Sequence, residues 1–303
     1  MVRELVEVGT FAVCYMLRRS REKRISYAKS VLEKEVAKEK KGSLLSLVLG
    51  GVFSARREID SAIEALELFL SEQGDNAPVQ LHLGHLYSRK EDWENAVKTY
   101  QSVVEFGEKA HDVGEAQYRL ACSYKALGRH EEAADVFQAV LQKEPTSVRA
   151  YISLGHCMLL LGRIDEAVDV LEAGRPLAPN NPDLLYYLGR AFHRSARYDD
   201  GIAALRNALR EDAGYAAAAS CLAACYQETG DAERARLFLE NFVSRNPSAA
   251  QAHHALGSLY LTQGNRDAAM RQCQLLAELD DGLRAQLEEQ ISGTWGNGTN
   301  LRA

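Results

Sequence analysis

Histidine and cysteine side chains are the residues of this chain that could hold a metal ion. His253 and His254 are adjacent, and Cys221 and Cys225 are four residues apart. Adjacent residues of a helix point about 100° apart, so the two histidines would make a poor chelate. Cys221 and Cys225 would share one helical face, but Cys157 has the same place as Cys225 in a repeat described below, at a buried position for small residues. The pattern favours packed or solvated histidines and core cysteines, without a metal or another cofactor.

Motifs for catalysis are absent from the sequence. We find no Gly-rich phosphate loop, no nucleophile elbow and no pair of carboxylates at a catalytic spacing. Most glycines have a structural place in the repeat instead. The sequence therefore predicts no catalytic residues and a protein that is not an enzyme.

Charge is distributed unevenly along the 303 residues. The chain has 36 Lys and Arg and 42 Asp and Glu, a net charge of −6, so nucleic acid is not an expected partner. Residues 1–42 hold 11 basic and 6 acidic residues (net +5), and the remainder holds 25 and 36 (net −11). A basic head on an acidic array could let two chains associate end to end.

Residues 114–147 contain a pattern that recurs along the chain. Apolar residues spaced three or four apart predict two short amphipathic helices, with a turn at Gly128 between them and a stop at Pro145. The pattern returns every 34 residues, with one interval of 37, in units that begin near 43, 77, 114, 148, 182, 216 and 250. The defining apolar residues of this unit are Leu120, Ala121, Tyr124, Ala133, Phe137 and Val140.

Each recurring position has a physical reason. Glycine or alanine after the first leucine lets the two helices of a unit cross closely, and an alanine on the second helix does the same. An aromatic residue fills the space between neighbouring units. Glycine ends the first helix because it accepts left-handed backbone angles. The glycines with this predicted role are Gly128, Gly162, Gly230 and Gly264.

This pattern resembles the tetratricopeptide repeat (TPR) family over residues 43–281. The resemblance implies an all-α, right-handed superhelical solenoid of antiparallel helix hairpins, with about seven to eight units. Residues 282–292 would form a capping helix, residues 293–303 a flexible tail, and residues 1–42 a basic helical cap or a degenerate repeat. The resemblance also implies a non-enzymatic scaffold or adaptor that holds a partner protein in a concave groove lined by the first helix of each unit.

The groove positions of the middle units would be basic, with aromatic and aliphatic patches. We expect a partner peptide that is acidic or amphipathic, because arginines would pair with its carboxylates and apolar side chains would cover its apolar ones. A solvated inner face with incidental charges is the alternative. The predicted partner-binding residues are His85, Arg89, Tyr118, Lys125, Arg149, Ile152, His156, Tyr186, Arg190, His193 and Arg194.

Residues 1–24 allow a second prediction of function. Residues 5–17 are the most apolar segment of the first 42 residues, with Glu7 inside, and precede a basic run, but they are shorter than the roughly 20 residues that span a bilayer. They could form an interfacial helix, which would make the protein a peripheral membrane-associated assembly factor. They could also begin a degenerate repeat, which the apolar spacing of residues 25–36 favours. Six cysteines without a CxxC pair, and no recognisable signal peptide, predict a cytoplasmic location.

Overall fold

The computed structural model describes residues 59–105 and 113–296, and these residues form fourteen α-helices and one short 3-10 helix, Arg175–Leu177. The predictions for residues 1–24 and 1–42, including membrane contact and end-to-end association, lie outside them. None of the described helices is long and apolar enough to cross a membrane. The helices are α1 (Ile59–Gln73), α2 (Ala77–Arg89), α3 (Trp93–Glu105), α4 (Val113–Ala126), α5 (His130–Lys143), α6 (Val148–Leu160), α7 (Ile164–Gly174), α8 (Pro182–Arg194), α9 (Tyr198–Glu211), α10 (Ala216–Glu228), α11 (Ala232–Arg245), α12 (Ala250–Thr262), α13 (Arg266–Leu279) and α14 (Asp281–Gly296).

The chain divides into two compact units between Lys143 and Glu144. In the N-terminal unit, α2 packs on α3 and α4 packs on α5. In the C-terminal unit the hairpins are α6–α7, α8–α9, α10–α11 and α12–α13, and α14 packs on the last of them. The first helices of successive hairpins also touch: α6 contacts α8, α8 contacts α10, and α10 contacts α12. Packing in consecutive pairs confirms the predicted all-α fold of helix hairpins.

Asparagine side chains fix where two of the first helices begin. The Leu184 N–H donates to Oδ1 of Asn181 at 3.0 Å, directly before α8, and the Val79 N–H donates to Oδ1 of Asn76 at 3.2 Å, directly before α2. Such a side chain satisfies an N–H group that has no partner within its own helix. These caps set the register of the helices that carry Arg190 and His85.

Left-handed backbone conformations end the first helices of the described hairpins, as predicted. The residue after each such turn donates its N–H to the backbone carbonyl of the residue at the aromatic position of the first helix. Arg197, for example, donates to the carbonyl of Phe192 at 2.8 Å. At two turns without glycine, Glu91 and Ala196 adopt the same conformation, with φ of 62° and 57°. The repeat geometry therefore imposes the turn even where the residue type disfavours it. The glycines that adopt it in these hairpins are Gly128, Gly162, Gly230 and Gly264, with φ from 73° to 81°.

Close helix crossing within a hairpin involves a small residue, glycine or alanine, after the first leucine, as predicted. A Cβ atom on Gly189 would lie 2.4 Å from Cγ of Leu205, and one on Gly155 would lie 2.5 Å from Cγ of Leu171. Both leucines are fully buried. The second-helix alanines are also fully buried at Ala62, Ala96, Ala133, Ala167, Ala235 and Ala269.

The aromatic position joins neighbouring hairpins, as predicted. Tyr124 on α4 accepts a hydrogen bond from Nε2 of Gln101 on α3, at 2.7 Å. Tyr260 on α12 donates its hydroxyl to Oε1 of Glu240 on α11, at 2.6 Å, and burial together with this bond raises the pKa of Tyr260 to about 12. Each tyrosine therefore links a first helix to the second helix of the preceding hairpin.

Helix α14 covers the last hairpin with its Leu287 and Ile291 side chains, which are buried beside Cys273. The helix continues to Gly296, so residues 293–296, predicted as part of a flexible tail, are helical. Thr294 donates its hydroxyl to the carbonyl of Gln290 at 2.8 Å in this last part. Gly293 does not end the helix because a single glycine costs only about 1 kcal/mol within a helix. Residues 297–303 lie outside the described residues.

Candidate partner-binding site

Four aromatic rings of the C-terminal unit lie together on α6, on α8 and at the start of α10. The Tyr186 ring centroid lies 5.0 Å from that of Tyr187 and 5.0 Å from that of Tyr215. The His156 centroid lies 4.7 Å from that of Tyr187. We call these four residues the Tyr186 cluster. Tyr215 donates its hydroxyl to Oδ1 of Asp183 at 2.8 Å, which ties the start of α10 to α8.

Arg190 lies over the Tyr186 cluster. Its guanidinium carbon is 5.6 Å from the Tyr186 ring centroid and 5.7 Å from that of Tyr187, within cation–π range. No carboxylate among the described residues forms a salt bridge with it. Arg163 and Arg197, in contrast, each pair with a carboxylate three residues further along the chain. Arg190 is therefore a cation held by ring faces, with its charge not neutralised by a carboxylate.

The tyrosines of the cluster remain protonated at neutral pH. Burial raises the pKa of Tyr186 and of Tyr187. Burial, and then the hydrogen bond to Asp183, raises the pKa of Tyr215. No phenolate therefore offsets the Arg190 charge, and the Asp183 carboxylate at the edge of the cluster accepts the Tyr215 hydroxyl.

Arg194 has an intramolecular role that the sequence did not reveal. Its Nη1 donates to the backbone carbonyl of Leu159 at 2.6 Å, so it ties α8 to the last turn of α6. We predicted that Arg194 pairs with peptide carboxylates, but one of its guanidinium N–H groups is already bonded within the protein. The His193 ring contacts the Tyr198 ring in a tilted arrangement, with centroids 5.8 Å apart, and burial lowers the pKa of His193. These two residues stand apart from the Tyr186 cluster in their contacts.

Two further predicted residues share a helix with the cluster. Ile152 is half-buried and lies one turn before His156 on α6. Arg149 is exposed and lies about two turns before His156. Residues four and seven apart lie on the same side of a helix, so both extend the face of α6 that carries His156.

The predicted residues of the N-terminal unit separate into two groups. His85 and Arg89 line a cleft of about 500 Å³ between α2, α3 and α4. Tyr118 packs its ring on Phe137 within the α4–α5 hairpin, with centroids 5.5 Å apart. Lys125 is half-buried in the last turn of α4. Tyr118 thus supports its own hairpin rather than the cleft.

Sequence reasoning missed several residues of both sites. Tyr187 and Tyr215 belong to the Tyr186 cluster, and Arg119, Trp93 and Tyr100 line the N-terminal cleft. Tyr187 and Arg119 occupy the same repeat position, one after a predicted groove position. Both are the sixth residue of a repeat unit, and a large side chain at that position could have indicated that it lines a site.

His253 and Cys225 are packed in the interior, as the sequence pattern favoured. His253 is 4% exposed, and its ring nitrogens lie 2.7 Å from Oε1 of Gln272 and 3.0 Å from the carbonyl of Pro247. Cys225 is buried, and both Cys221 and Cys225 are free thiols. Among the described residues, no group of three or more His, Cys, Asp or Glu side chains is placed to hold a metal ion.

Consecutive helix hairpins, the 34-residue spacing and the left-handed turns together define a TPR protein. The chain belongs to the family of the C-terminal domain of cilia and flagella-associated protein 70, whose profile matches residues 28–290. This match begins within the segment predicted as a basic cap. TPR folds serve as protein–protein interaction scaffolds and are typically not enzymes.

Solved structures of TPR proteins share this fold. A TPR protein from Parabacteroides merdae ATCC 43184 aligns with a TM-score of 0.69 and 16% identity, over 82% of this chain and 98% of that one. YrrB, a TPR protein with an unusual peptide-binding site, aligns with a TM-score of 0.52 and 18% identity, over 62% and 95%. A thermophilic TPR protein of Thermus thermophilus gives 0.52 and 22%, over 59% and 98%. No curated protein sequence matches the chain significantly.

Proposed function

We propose that the C-terminal unit binds an acidic or amphipathic segment of another protein across the Tyr186 cluster, and that the chain is a non-enzymatic scaffold or adaptor. One observation carries this proposal. Arg190 is held over the rings of Tyr186 and Tyr187, and no described carboxylate forms a salt bridge with it. A carboxylate of a partner would form a charge-assisted hydrogen bond there.

The surroundings of Arg190 suit an amphipathic segment. The aromatic rings offer apolar surface with hydroxyl groups at their edges, a combination that is common where proteins bind peptides. Ile152 continues the apolar surface along α6, and Arg149 adds a second cation on the same helix face. Acidic residues spaced along a partner could therefore contact cations while its apolar residues cover the rings.

Two further points support the proposal. Residues 43–303 carry a net charge of −11, so most cations have carboxylates available as partners. Arg190 is an exception, because no described carboxylate forms a salt bridge with it. YrrB shows that a protein of this fold can present a peptide-binding site, although at 18% identity it does not indicate the residues. The cytoplasmic location belongs to the proposal as well, because free thiols such as Cys221 and Cys225 persist in a reducing compartment.

The test compares two charge reversals in the full chain. Arg190→Glu places an anion over the cluster, whereas Arg206→Glu makes the same change at an exposed position of α9, on a second helix. We leave Arg194 unchanged because its bond to Leu159 would be lost with it. Far-UV circular dichroism first confirms that both variants are helical.

Affinity capture from the native extract, with a photo-crosslinking residue at position 186, then identifies the partner and its contact. We expect Arg190→Glu to lose a partner that crosslinks from position 186, and Arg206→Glu to keep it. Retention of that partner by Arg190→Glu would contradict the proposal. Equally strong crosslinks from a chain with the photo-crosslinking residue at position 206 would also contradict the proposal.

A further inference from the structure

The N-terminal unit contains a cleft that the sequence did not predict as one site. It lies between α2, α3 and α4 and has a volume of about 500 Å³. Each of the three helices contributes part of its wall. The lining residues are His85, Ser88, Arg89, Trp93, Tyr100, Arg119, Cys122 and Ser123.

Two arginines line the cleft. Arg89 and Arg119 contribute guanidinium groups, and no carboxylate belongs to the lining. Arg119 forms a salt bridge with Glu115, which lies outside the lining, because its Nε donates to Oε1 of Glu115 at 2.7 Å. This hydrogen bond orients the planar guanidinium group of Arg119, while the carboxylate of Glu115 stays outside the cleft lining. Such a group suits the geometry of carboxylates and phosphates.

The floor of the cleft is aromatic and offers polar atoms. The Tyr100 ring lies 5.9 Å from the His85 ring between centroids, and the Tyr100 hydroxyl is 3.1 Å from Oγ of Ser88. Nε2 of His85 is buried and has no hydrogen-bond partner among the described residues. A buried polar atom without a partner is unfavourable, and a ligand that bonds to it would remove that cost.

The surroundings of His85 affect its protonation. Burial lowers its pKa, Arg119 and His82 lower it further, and Glu115 opposes them. A ligand with negative charge in the cleft would oppose the influence of Arg119 and raise the pKa of His85. Anion binding should therefore be accompanied by proton uptake at His85.

We propose that this cleft is an oxyanion site, in which Arg119 and Arg89 provide charge and His85 provides a hydrogen bond to a carboxylate or phosphate group. It is independent of the Tyr186 cluster, because no residue is shared and the two sites belong to different compact units. The oxyanion can come from an acidic side chain or from a phosphorylated group.

Two probes distinguish these sources in the full chain. Inorganic phosphate represents a phosphorylated group, and glutarate represents an acidic side chain, each titrated at constant ionic strength against sodium chloride. The NMR signal of the His85 ring, assigned with His85→Gln, reports binding at the cleft. The alkylation rate of Cys122, measured by mass spectrometry, provides a second readout because its thiol lines the same cleft.

We expect a saturable shift of the His85 signal and slower alkylation of Cys122. Arg119→Gln should weaken binding about tenfold, since a charge-assisted hydrogen bond is lost. Arg129→Gln, in the same unit but at an exposed turn outside the cleft, should leave binding unchanged. A response to phosphate alone would assign the site to phosphorylated groups, and a response to both probes would include acidic side chains.

Two results would overturn the proposal. One is a His85 shift that sodium chloride reproduces, and the other is equal binding by Arg119→Gln and the unchanged chain. If Arg119→Gln does not fold, Arg89→Gln at an exposed position of the cleft edge gives the same test. Neither outcome depends on the binding of a peptide at Arg190.

Discussion

Leu287 of α14 packs directly against Gly257 of α12. A Cβ atom on Gly257 would lie 2.5 Å from Cδ2 of Leu287. In the hairpins α6–α7 and α8–α9 the corresponding glycine instead faces a leucine of its own second helix. In α12–α13 that second-helix position is Cys273, which is smaller. The capping helix therefore supplies the side chain that the last hairpin lacks.

Truncation of Leu287 should destabilise the end of the array. Leu287 is fully buried, so Leu287→Ala should lower the free energy of unfolding by about 3 kcal/mol. Leu279→Ala removes the same atoms from a side chain that is 37% exposed and should cost less than about 1 kcal/mol. Urea denaturation followed by circular dichroism measures both. Equal losses would show that Leu287 does not anchor α14.

A methyl group at Gly189 should be unfavourable. Gly189→Ala would force Leu205 to move, because the new Cβ would lie 2.4 Å from its Cγ. We expect a loss of about 1–2 kcal/mol, since overpacking outweighs the better helix propensity of alanine. Gly293→Ala is the control: no atom lies within 4 Å of its Cβ, and we expect a gain of up to about 1 kcal/mol. A gain at both positions would contradict the close crossing.

Glycine at the Ala196 turn should stabilise the chain. Ala196 has a φ of 57°, in the left-handed region that costs a residue with a Cβ about 1–2 kcal/mol. Greater freedom of glycine in the unfolded chain offsets part of this gain, so Ala196→Gly should add about 0.5–1 kcal/mol. Gly162→Ala, at the equivalent turn with φ of 77°, should lose about 1 kcal/mol. Thermal and urea unfolding would show opposite signs for the two variants.

Acidification should weaken the fold before its carboxylates titrate. Burial lowers the pKa of four of the described histidines in the folded chain, whereas the unfolded value is about 6.5. The unfolded chain therefore binds more protons below that pH, so the free energy of unfolding is largest above about pH 6.5 and falls as pH decreases toward the folded pKa. The histidines are His82, His85, His193 and His254.

His254 isolates this effect, because burial is the only cause of its lowered pKa. His254→Gln should make the free energy of unfolding less dependent on pH between about 7.5 and 5.5, a window above the carboxylate range. Urea denaturation at several pH values gives the slope. An unchanged slope in this variant would exclude His254 as a contributor.

Local sequence predicted the fold well because the hairpin is built from short-range features. Glycine at Gly128 and Gly162 marks a turn whose backbone conformation depends on a few neighbouring residues. The spacing of alanine and leucine predicts which side chains face each other across a hairpin. Ala196 shows the limit, since its left-handed turn follows from the surrounding repeat and not from its residue type.

The candidate sites were predicted less completely because they depend on how each helix is rotated against the next hairpin. Arg194 reaches the carbonyl of Leu159, 35 residues earlier, and no local pattern signals that bond. Tyr187 and Arg119 follow the predicted positions Tyr186 and Tyr118 by one residue, so a small rotation brings them into the sites. The sequence therefore predicted the helices that carry the candidate sites but only part of the side chains that line them.

Cys273 leaves space that Leu287 of the capping helix fills. Another hairpin could dock on α12 and α13 only if α14 left the surface that Leu287 now occupies. A leucine at position 273 would compete with Leu287 for the space beside Gly257 and would loosen the cap. Helix α14 therefore covers the surface on which a further hairpin would pack. Its position depends on the small side chain of Cys273 in the preceding hairpin.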